Sequence, residues 1–124
     1  MGVEQSVTFA GPVPDWPAVR ARLGERNYPV QMRMIEGELA FPDEAPPAEW
    51  REIRVGTPGG MVTLRREPGR VTFVVWGNAD AAMLRARNAL MWAFAEAGSG
   101  QVDGTQAAEE FRQSADVPEE IRAL

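Results

Sequence analysis

The stretch IRVGTPGGMVTLRREPGRVTFVV, residues 53–75, decides the fold of this chain. It contains three runs in which apolar residues recur at every second position. Two turn sequences separate these runs, GTPGG at 56–60 and EPG at 67–69. Alternation with a period of two is typical of strands with one buried face, and glycine and proline mark the turns between such strands. The stretch therefore predicts an antiparallel meander of three strands.

The residues at the start of the chain predict a strand followed by a short helix. Residues 6–10 favour a strand, and three prolines mark the turn after it. Asp15 is a residue type that caps helices, and it precedes a helical pattern over residues 16–25. Val19 and Leu23 lie four residues apart, which predicts one modest apolar face for this helix.

A second alternating segment precedes the meander and changes phase part-way. The apolar positions of residues 30–34 alternate with polar ones, but the alternation slips at Ile35. It resumes at Leu39 and Phe41 on the other phase. The Glu-Gly pair at 36–37 stands between the two runs, and it predicts either a tight hairpin turn or a bulge.

The longest helix is predicted after the meander, over residues 78–97, with Asn78 as its N-cap. The GSG sequence at 98–100 ends it. A short strand is predicted at 101–103. The apolar stripe that defines the helix consists of Met83, Ala86, Leu90, Phe94 and Ala97.

This order of elements predicts an α+β fold. We expect a single two-layer domain over residues 1–104, with an antiparallel sheet of about five or six strands. One long and one short helix are expected to pack on one face of that sheet. Residues 105–124 are expected to form a loosely structured, helical C-terminal tail.

The composition removes most catalytic chemistry. The chain has 124 residues without cysteine or histidine, and its 13 basic residues are all arginine. No Ser-His-Asp triad, cysteine nucleophile or lysine Schiff base can therefore be built, and zinc sites of histidine and cysteine are excluded. We expect a non-catalytic protein with no cofactor and no metal. An arginine-only composition is typical of a GC-rich genome, and it favours a bacterial cytoplasmic protein.

The charge and hydropathy of the chain argue against two kinds of partner. The net charge of −5 disfavours nucleic acid, which attracts clustered cations. The arginines of the meander alternate with acidic residues, so the local charge largely cancels. No apolar stretch approaches the roughly 20 residues that span a bilayer, and no signal peptide is evident. The arginines considered are Arg51, Arg54, Arg65, Arg66 and Arg70.

An acidic segment lies between Ile35 and Trp50. It has no basic residue, and its spacing does not follow the calcium-binding EF-hand pattern. Surfaces of one charge sign steer association with oppositely charged partners, so we expect this segment to bind a cationic protein. The alternative is a solvated loop. The carboxylates are Glu36, Glu38, Asp43, Glu44 and Glu49.

Tryptophan suggests a second binding surface. If the run at 71–75 turns its odd-numbered residues to the helices, Val74 and Trp76 lie on the opposite face. Tryptophan is enriched at binding hot spots, so we assign Val74, Trp76 and Trp50 to partner binding, with a homodimer through this face as one possibility. The alternative is that the C-terminal tail covers the face.

Arg87 is the remaining candidate residue. The helical wheel places it beside the apolar stripe, where a charge must pair or reach water. A structural ion pair, for which Asp80 is one candidate, and an anchor for an anionic ligand both explain it.

These observations favour a non-catalytic, protein-binding module of the inhibitor or immunity-protein type. The alternative is a small-ligand-binding domain, or an enzyme based on carboxylates, with a cleft between sheet and helices. Arg87 would then hold an anion, and Glu36 or Glu38 would act as base.

Overall fold

The predicted meander forms the centre of a seven-stranded antiparallel sheet in a computed structural model, which describes residues 3–75 and 81–102. The strand order is β3-β2-β4-β5-β6-β1-β7. β3 and β7 have only two residues each. One antiparallel sheet with two helices confirms the predicted α+β fold. The elements are β1 (Val3–Thr8), α1 (Trp16–Glu25), β2 (Gln31–Ile35), β3 (Glu38–Leu39), β4 (Glu52–Thr57), β5 (Gly60–Glu67), β6 (Arg70–Val75), α2 (Ala81–Gly98) and β7 (Gln101–Val102).

The meander places its alternate apolar residues on one side of the sheet. Ile53 of β4 lies opposite Leu64 of β5, which lies opposite Phe73 of β6. All three side chains are buried. The α2 helix contacts β5, β6 and β1 and also packs against α1, so both helices lie over this apolar side. The predicted period of two therefore separates a helix-covered face from an outer face, by which we mean the opposite side of the sheet.

β1 begins and ends earlier in the sequence than the strand predicted over residues 6–10. Its register follows β6, and Thr8 is paired with Arg70, the first residue of that strand. The ladder has no further residue of β6 to pair with, so the strand ends there. The N–H of Phe9 still donates to the carbonyl of Gly69, at 2.8 Å.

The turn between β4 and β5 packs against α2. The Thr57 hydroxyl donates to the carbonyl of Gly60 at 2.7 Å and accepts from the N–H of Gly59 at 3.1 Å. A Cβ atom on Gly59 would overlap the carbonyl oxygen of Ala82. The glycine is therefore required by the close approach of the turn to the helix.

The Glu-Gly pair forms a hairpin turn between β2 and β3. Glu36 and Gly37 have φ angles of 54° and 82°. Two consecutive positive φ values are the geometry of the two-residue turn that matches strand twist. A bulge also occurs, earlier than the turn: Met32 pairs with Val55 but Met34 pairs with Arg54, so one residue of β2 is left over. That extra residue produces the phase change in the sequence.

The chain continues beside β2 after β3 ends. The N–H of Ala40 donates to the carbonyl of Arg33 at 3.0 Å, and the N–H of Met32 donates to the carbonyl of Pro42 at 3.0 Å. Residues 40–42 therefore stay next to β2, and alternate residues keep opposite orientations.

Phe41 ends this extended segment in a closed turn. Its N–H donates to Oε1 of Glu44 at 3.1 Å, and its carbonyl accepts from the N–H of Glu44 at 3.0 Å. Both backbone groups of Phe41 are therefore bonded within the same loop.

The short helix has the predicted bounds and cap. Oδ1 of Asp15 accepts from the N–H of Ala18 at 3.0 Å, which satisfies one of the free donors at the helix start. Trp16, Val19 and Leu23 are its buried residues, and they define the face that packs into the core.

Phe94 of α2 is the centre of the aromatic core. Its ring centroid lies 5.3 Å from that of Phe73, with the planes at 75°. Trp16 and Trp50 each lie 6.5 Å from the same ring. Edge-to-face contacts of this kind add to the free energy of burial.

The predicted apolar stripe of α2 faces the core. Ala86, Leu90 and Phe94 are buried, and Met83 and Ala97 pack at its border. The helix ends where Ser99 adopts a positive φ of 55°, and the N–H of Gly100 donates to the carbonyl of Ala95. The predicted cap and first residues, 78–80, lie outside the described residues, as does the predicted tail, 105–124. In the described part of the chain, no helix has the length and apolar character needed to cross a membrane.

Candidate functional site

The outer face has a buried centre. Oγ of Ser6 and Oγ1 of Thr72 are hydrogen-bonded at 3.0 Å, and Nη2 of Arg70 donates to Ser6 Oγ at 3.1 Å. Val74 lies opposite Thr63 in the register of β5 and β6, and both are buried. The expectation that Val74 offers its side chain to a partner is therefore corrected, since Val74 is only 2% exposed. Trp76 lies outside the described residues.

Trp50 is a core residue. It is 3% exposed, and its ring meets Phe94 edge-on. Nε of Arg66 donates to the Trp50 carbonyl at 2.6 Å, and the Arg66 guanidinium lies 5.5 Å from the centroid of the ring. The assignment of Trp50 to partner binding is therefore corrected, because the indole is covered by the core and by Arg66.

Three large apolar side chains in the described segments are exposed. Among the described residues, the large hydrophobic side chains that remain exposed are Leu39 at 89%, Phe41 at 75% and Met61 at 45%. We call these three residues the outer patch. Leu39 is paired with Met34, which is paired with Arg54, and Arg54 alternates with the buried Ile53 and Val55. Leu39 therefore lies on the outer face.

Phe41 and Met61 reach the same side by separate routes. Phe41 follows Leu39 by two residues in the extended segment, while Ala40 between them packs against the core. Met61 is paired with Gly56, which alternates with the buried Val55. The three side chains of the outer patch therefore come from two separate parts of the sequence.

Two arginines lie on β2 and β4, the strands between Leu39 of β3 and Met61 of β5. The Arg33 side chain lies on Gly56, since a Cβ atom there would be 2.8 Å from Arg33 Nε and 3.3 Å from its Cγ. Arg54 is half-buried on the same strand as Gly56, two residues away and about 7 Å along it. Within the described residues, neither guanidinium has a hydrogen bond or ion pair. By contrast, Arg65 Nε is paired with Glu52 Oε1 at 3.0 Å.

Glu36 supports the hairpin. Its Oε1 accepts from the backbone N–H groups of Arg51 at 2.5 Å and of Glu52 at 2.9 Å. These two bonds hold the pKa of the Glu36 carboxyl below its ordinary value because they favour the charged form. The bond from the N–H of Glu52 has the larger effect. The predicted partner-binding carboxylate therefore connects the turn to the start of β4.

The other acidic residues remain on the surface. Glu38, Asp43 and Glu49 are exposed, and Glu44 is exposed while bonded to the Phe41 backbone. In residues 3–75 and 81–102, no three acidic side chains come close enough to hold a metal ion. The acidic segment is thus spread around the hairpin and its loop.

Arg87 is bound to its neighbour on α2. Its Nε and Nη2 donate to Oδ1 of the buried Asn88, at 3.2 Å and 3.0 Å. Asp80, the partner considered from sequence, lies outside the described residues.

Tyr28 is a buried ionisable group at the turn between β4 and β5. Burial raises its pKa above the ordinary value, against the opposing effects of a hydrogen bond with Thr57 and the charge of Arg85. The phenol is therefore held in its neutral form, and it offers no base for catalysis at neutral pH.

The outer patch and Arg33 were missed from sequence, and Arg54 was considered only as a contact to nucleic acid, although one signal pointed to Leu39 and Phe41. The phase change before Leu39 and Phe41 meant that those residues turn away from the core. Comparison with protein-family models, curated proteins and solved structures found no match. The function is therefore argued from the geometry of this chain.

Proposed function

We propose that this chain is a non-catalytic protein-binding module, of the inhibitor or immunity-protein type, acting in the bacterial cytoplasm. One observation carries the proposal: Leu39 and Phe41, the most exposed large hydrophobic side chains of the described residues, lie two residues apart on the outer face, and Met61 is exposed on the same face. Contiguous exposed apolar surface is characteristic of interaction sites. A partner that buries Leu39 and Phe41 gains about 3–6 kcal/mol before the costs of association.

The charge around the outer patch favours a cationic partner. Asp43 and Glu44 follow Phe41 closely in the loop that leaves the outer patch. A polar, solvent-accessible rim is typical of protein–protein interfaces. Basic residues of the partner would meet this rim, and they would speed association at low salt.

A second copy of the chain fits the outer patch less well. A two-fold contact through the outer patch would place the rim carboxylates of both copies near one another. Like charges at an interface disfavour binding. A homodimer is therefore one outcome of the test below and not the partner that we propose.

The geometry supports an enzyme or small-ligand cleft less well. Glu36, one of the two candidate bases, is held on the hairpin by backbone N–H groups, and Glu38 is exposed beside it. The space between sheet and α2 contains tightly packed aromatic rings around Phe94. Neither carboxylate is brought into that layer.

The experiment is affinity capture from cells of the source organism, followed by binding measurements with the purified partner. The test variant is Leu39→Asp/Phe41→Asp. The matched control is Ala18→Asp/Ala21→Asp on α1, which adds the same two charges at exposed positions on the other side of the sheet. We expect one protein to bind the native chain and the control, to bind less as salt rises, and to lose binding to the test variant.

Three results would contradict the proposal. One is that no protein binds stoichiometrically at low salt, and the second is equal binding to the Leu39→Asp/Phe41→Asp variant. The third is a homodimer, seen by light scattering, that the same variant dissociates, since the outer patch would then be a self-contact.

A further inference from the structure

We infer that the outer patch recognises an acidic side chain of its protein partner, and that Arg33 and Arg54 hold that carboxylate. The inference rests on the proposed function and adds the chemistry of the partner at the centre of the contact. The partner segment would carry one or two carboxylates among apolar residues, with its basic residues placed further out, opposite the acidic rim.

Arg33 is arranged for this role by the bulge and by a glycine. The bulge between Met32 and Met34 leaves Arg33 as the extra residue of β2. Its side chain then lies across β4 at Gly56, where any larger residue would displace it, because a Cβ atom would be 2.8 Å from Nε. The Arg33 side chain therefore lies against the sheet, so it loses less conformational entropy when an anion binds.

Arg54 supplies the second cation, two residues from Gly56 on β4. It points to the outer face from β4 and is half-buried. Neither guanidinium has an ion pair within the described residues, and Arg33 lies at Gly56, two residues from Arg54 on the same face of β4. An anion bound between them would accept charge-assisted hydrogen bonds from both.

Apolar side chains near the two arginines would strengthen their interaction with a carboxylate of the partner. Leu39 pairs with Met34 on one side of Arg54, and Met61 pairs with Gly56 under Arg33. A docked partner would exclude water from these side chains, and ion pairs are stronger where water is excluded. The site is therefore suited to a carboxylate that arrives within an apolar segment.

The rim separates this partner from nucleic acid and from anionic membranes. Those surfaces repeat negative charge over long distances, and they would bring it against Asp43 and Glu44 as well as the arginines. A single carboxylate in a protein segment meets only the two cations. The same rim attracts basic residues on either side of that carboxylate.

The experiment uses a displayed library of random peptides selected on the native protein. We expect the selected peptides to contain Asp or Glu beside apolar residues, with Arg or Lys towards the ends. Replacing that acidic residue of a selected peptide by its amide should weaken binding at least about tenfold. Arg33→Gln/Arg54→Gln in the protein should weaken binding equally, and the two changes combined should cost little more than either alone.

The control removes two charges elsewhere. Arg20→Gln/Arg22→Gln on α1 lowers the net charge by the same amount and leaves the outer face intact. It should bind the selected peptides almost as well as the native chain. Circular dichroism and thermal unfolding check that every variant is folded.

The outcomes separate this inference from the proposed function. Peptides that bind equally to Leu39→Asp/Phe41→Asp would show that the outer patch is not the docking site, which contradicts both. Peptides that need the outer patch but lack acidic residues, or that bind Arg33→Gln/Arg54→Gln unchanged, would overturn only the arginine assignment. Equal losses for the two arginine pairs would also overturn it, because the effect would then be one of net charge.

Discussion

Phe94 and Phe41 lie on opposite sides of the same sheet and differ in how much of the ring meets water. Phe94 is completely buried and touches the rings of Phe73, Trp16 and Trp50. Phe41 is 75% exposed, and the contacts that hold it in place are made by its backbone. The comparison teaches that apolar side chains on the helix-covered face are packed into the core, whereas Leu39 and Phe41 on the outer face are left largely in water.

The largest effect should come from Phe94→Ala. Removing the ring at the centre of the aromatic core leaves a cavity that the two tryptophans and Phe73 cannot fill without moving. We expect a loss of about 3–5 kcal/mol in the free energy of unfolding, measured by urea denaturation with circular dichroism. A loss below about 1 kcal/mol would break the comparison, since the helix side would then not carry the stability.

A smaller loss is expected where the turn between β4 and β5 meets α2. Gly59→Ala forces a Cβ atom into the carbonyl of Ala82, and overpacking of this kind costs about 1–3 kcal/mol. The control is Gly24→Ala near the end of α1, where an added Cβ atom meets nothing within 4 Å. Thermal unfolding should show Gly24→Ala unchanged or stabilised by up to about 1 kcal/mol. Similar losses at both positions would mean that the close approach is not the cause.

The hairpin should show a stability term that depends on pH. Because the folded state lowers the pKa of Glu36, its charged form stabilises the native chain at neutral pH, and this contribution is lost as pH falls through the lowered pKa, below the ordinary value of 4.5. Glu36→Gln should therefore be less stable than the native chain at pH 7, with the difference vanishing in acid. Glu38→Gln, on the same hairpin but without these backbone bonds, provides the comparison. Parallel stability curves for the native chain and Glu36→Gln from neutral to acid pH would count against the role of the carboxylate.

The smallest effect on stability should come from the outer patch itself. Phe41→Ala removes a ring that is mostly in water, so the free energy of unfolding should change by no more than about 0.5 kcal/mol. The same substitution should reduce partner binding by at least about tenfold, measured by calorimetry with the purified partner. A clear loss of stability here would show that Phe41 belongs to the fold and not to a docking surface.

Local patterns were sufficient to predict much of the fold. The alternation of Ile53, Leu64 and Phe73 required only that strands have two faces, and the helix after Asp15 required only its cap and spacing. These features depend on neighbours in sequence, so sequence reasoning reached them.

The site depended on contacts that no local pattern contains. Trp50 is buried because Phe94 and Arg66 reach it from distant segments. Glu36 is occupied because the turn folds back onto the N–H groups of residues 51 and 52. The position of Arg33 on Gly56 requires both the bulge and the register between β2 and β4. Acidity and tryptophan content alone directed the prediction to this hairpin, but they did not indicate that Glu36 and Trp50 are held by contacts within the fold.

The closed turn at Phe41 has a consequence for how this protein behaves at high concentration. A terminal strand with free N–H and carbonyl groups invites strand addition, and through it fibrils or swapped assemblies. Here β3 is two residues long. The N–H and the carbonyl of Phe41, which follows β3, are both hydrogen-bonded to Glu44. Leu39 and Phe41 are therefore exposed at the edge of the sheet, while the backbone groups of Phe41 are not free to pair with a strand of another chain in a cross-β assembly.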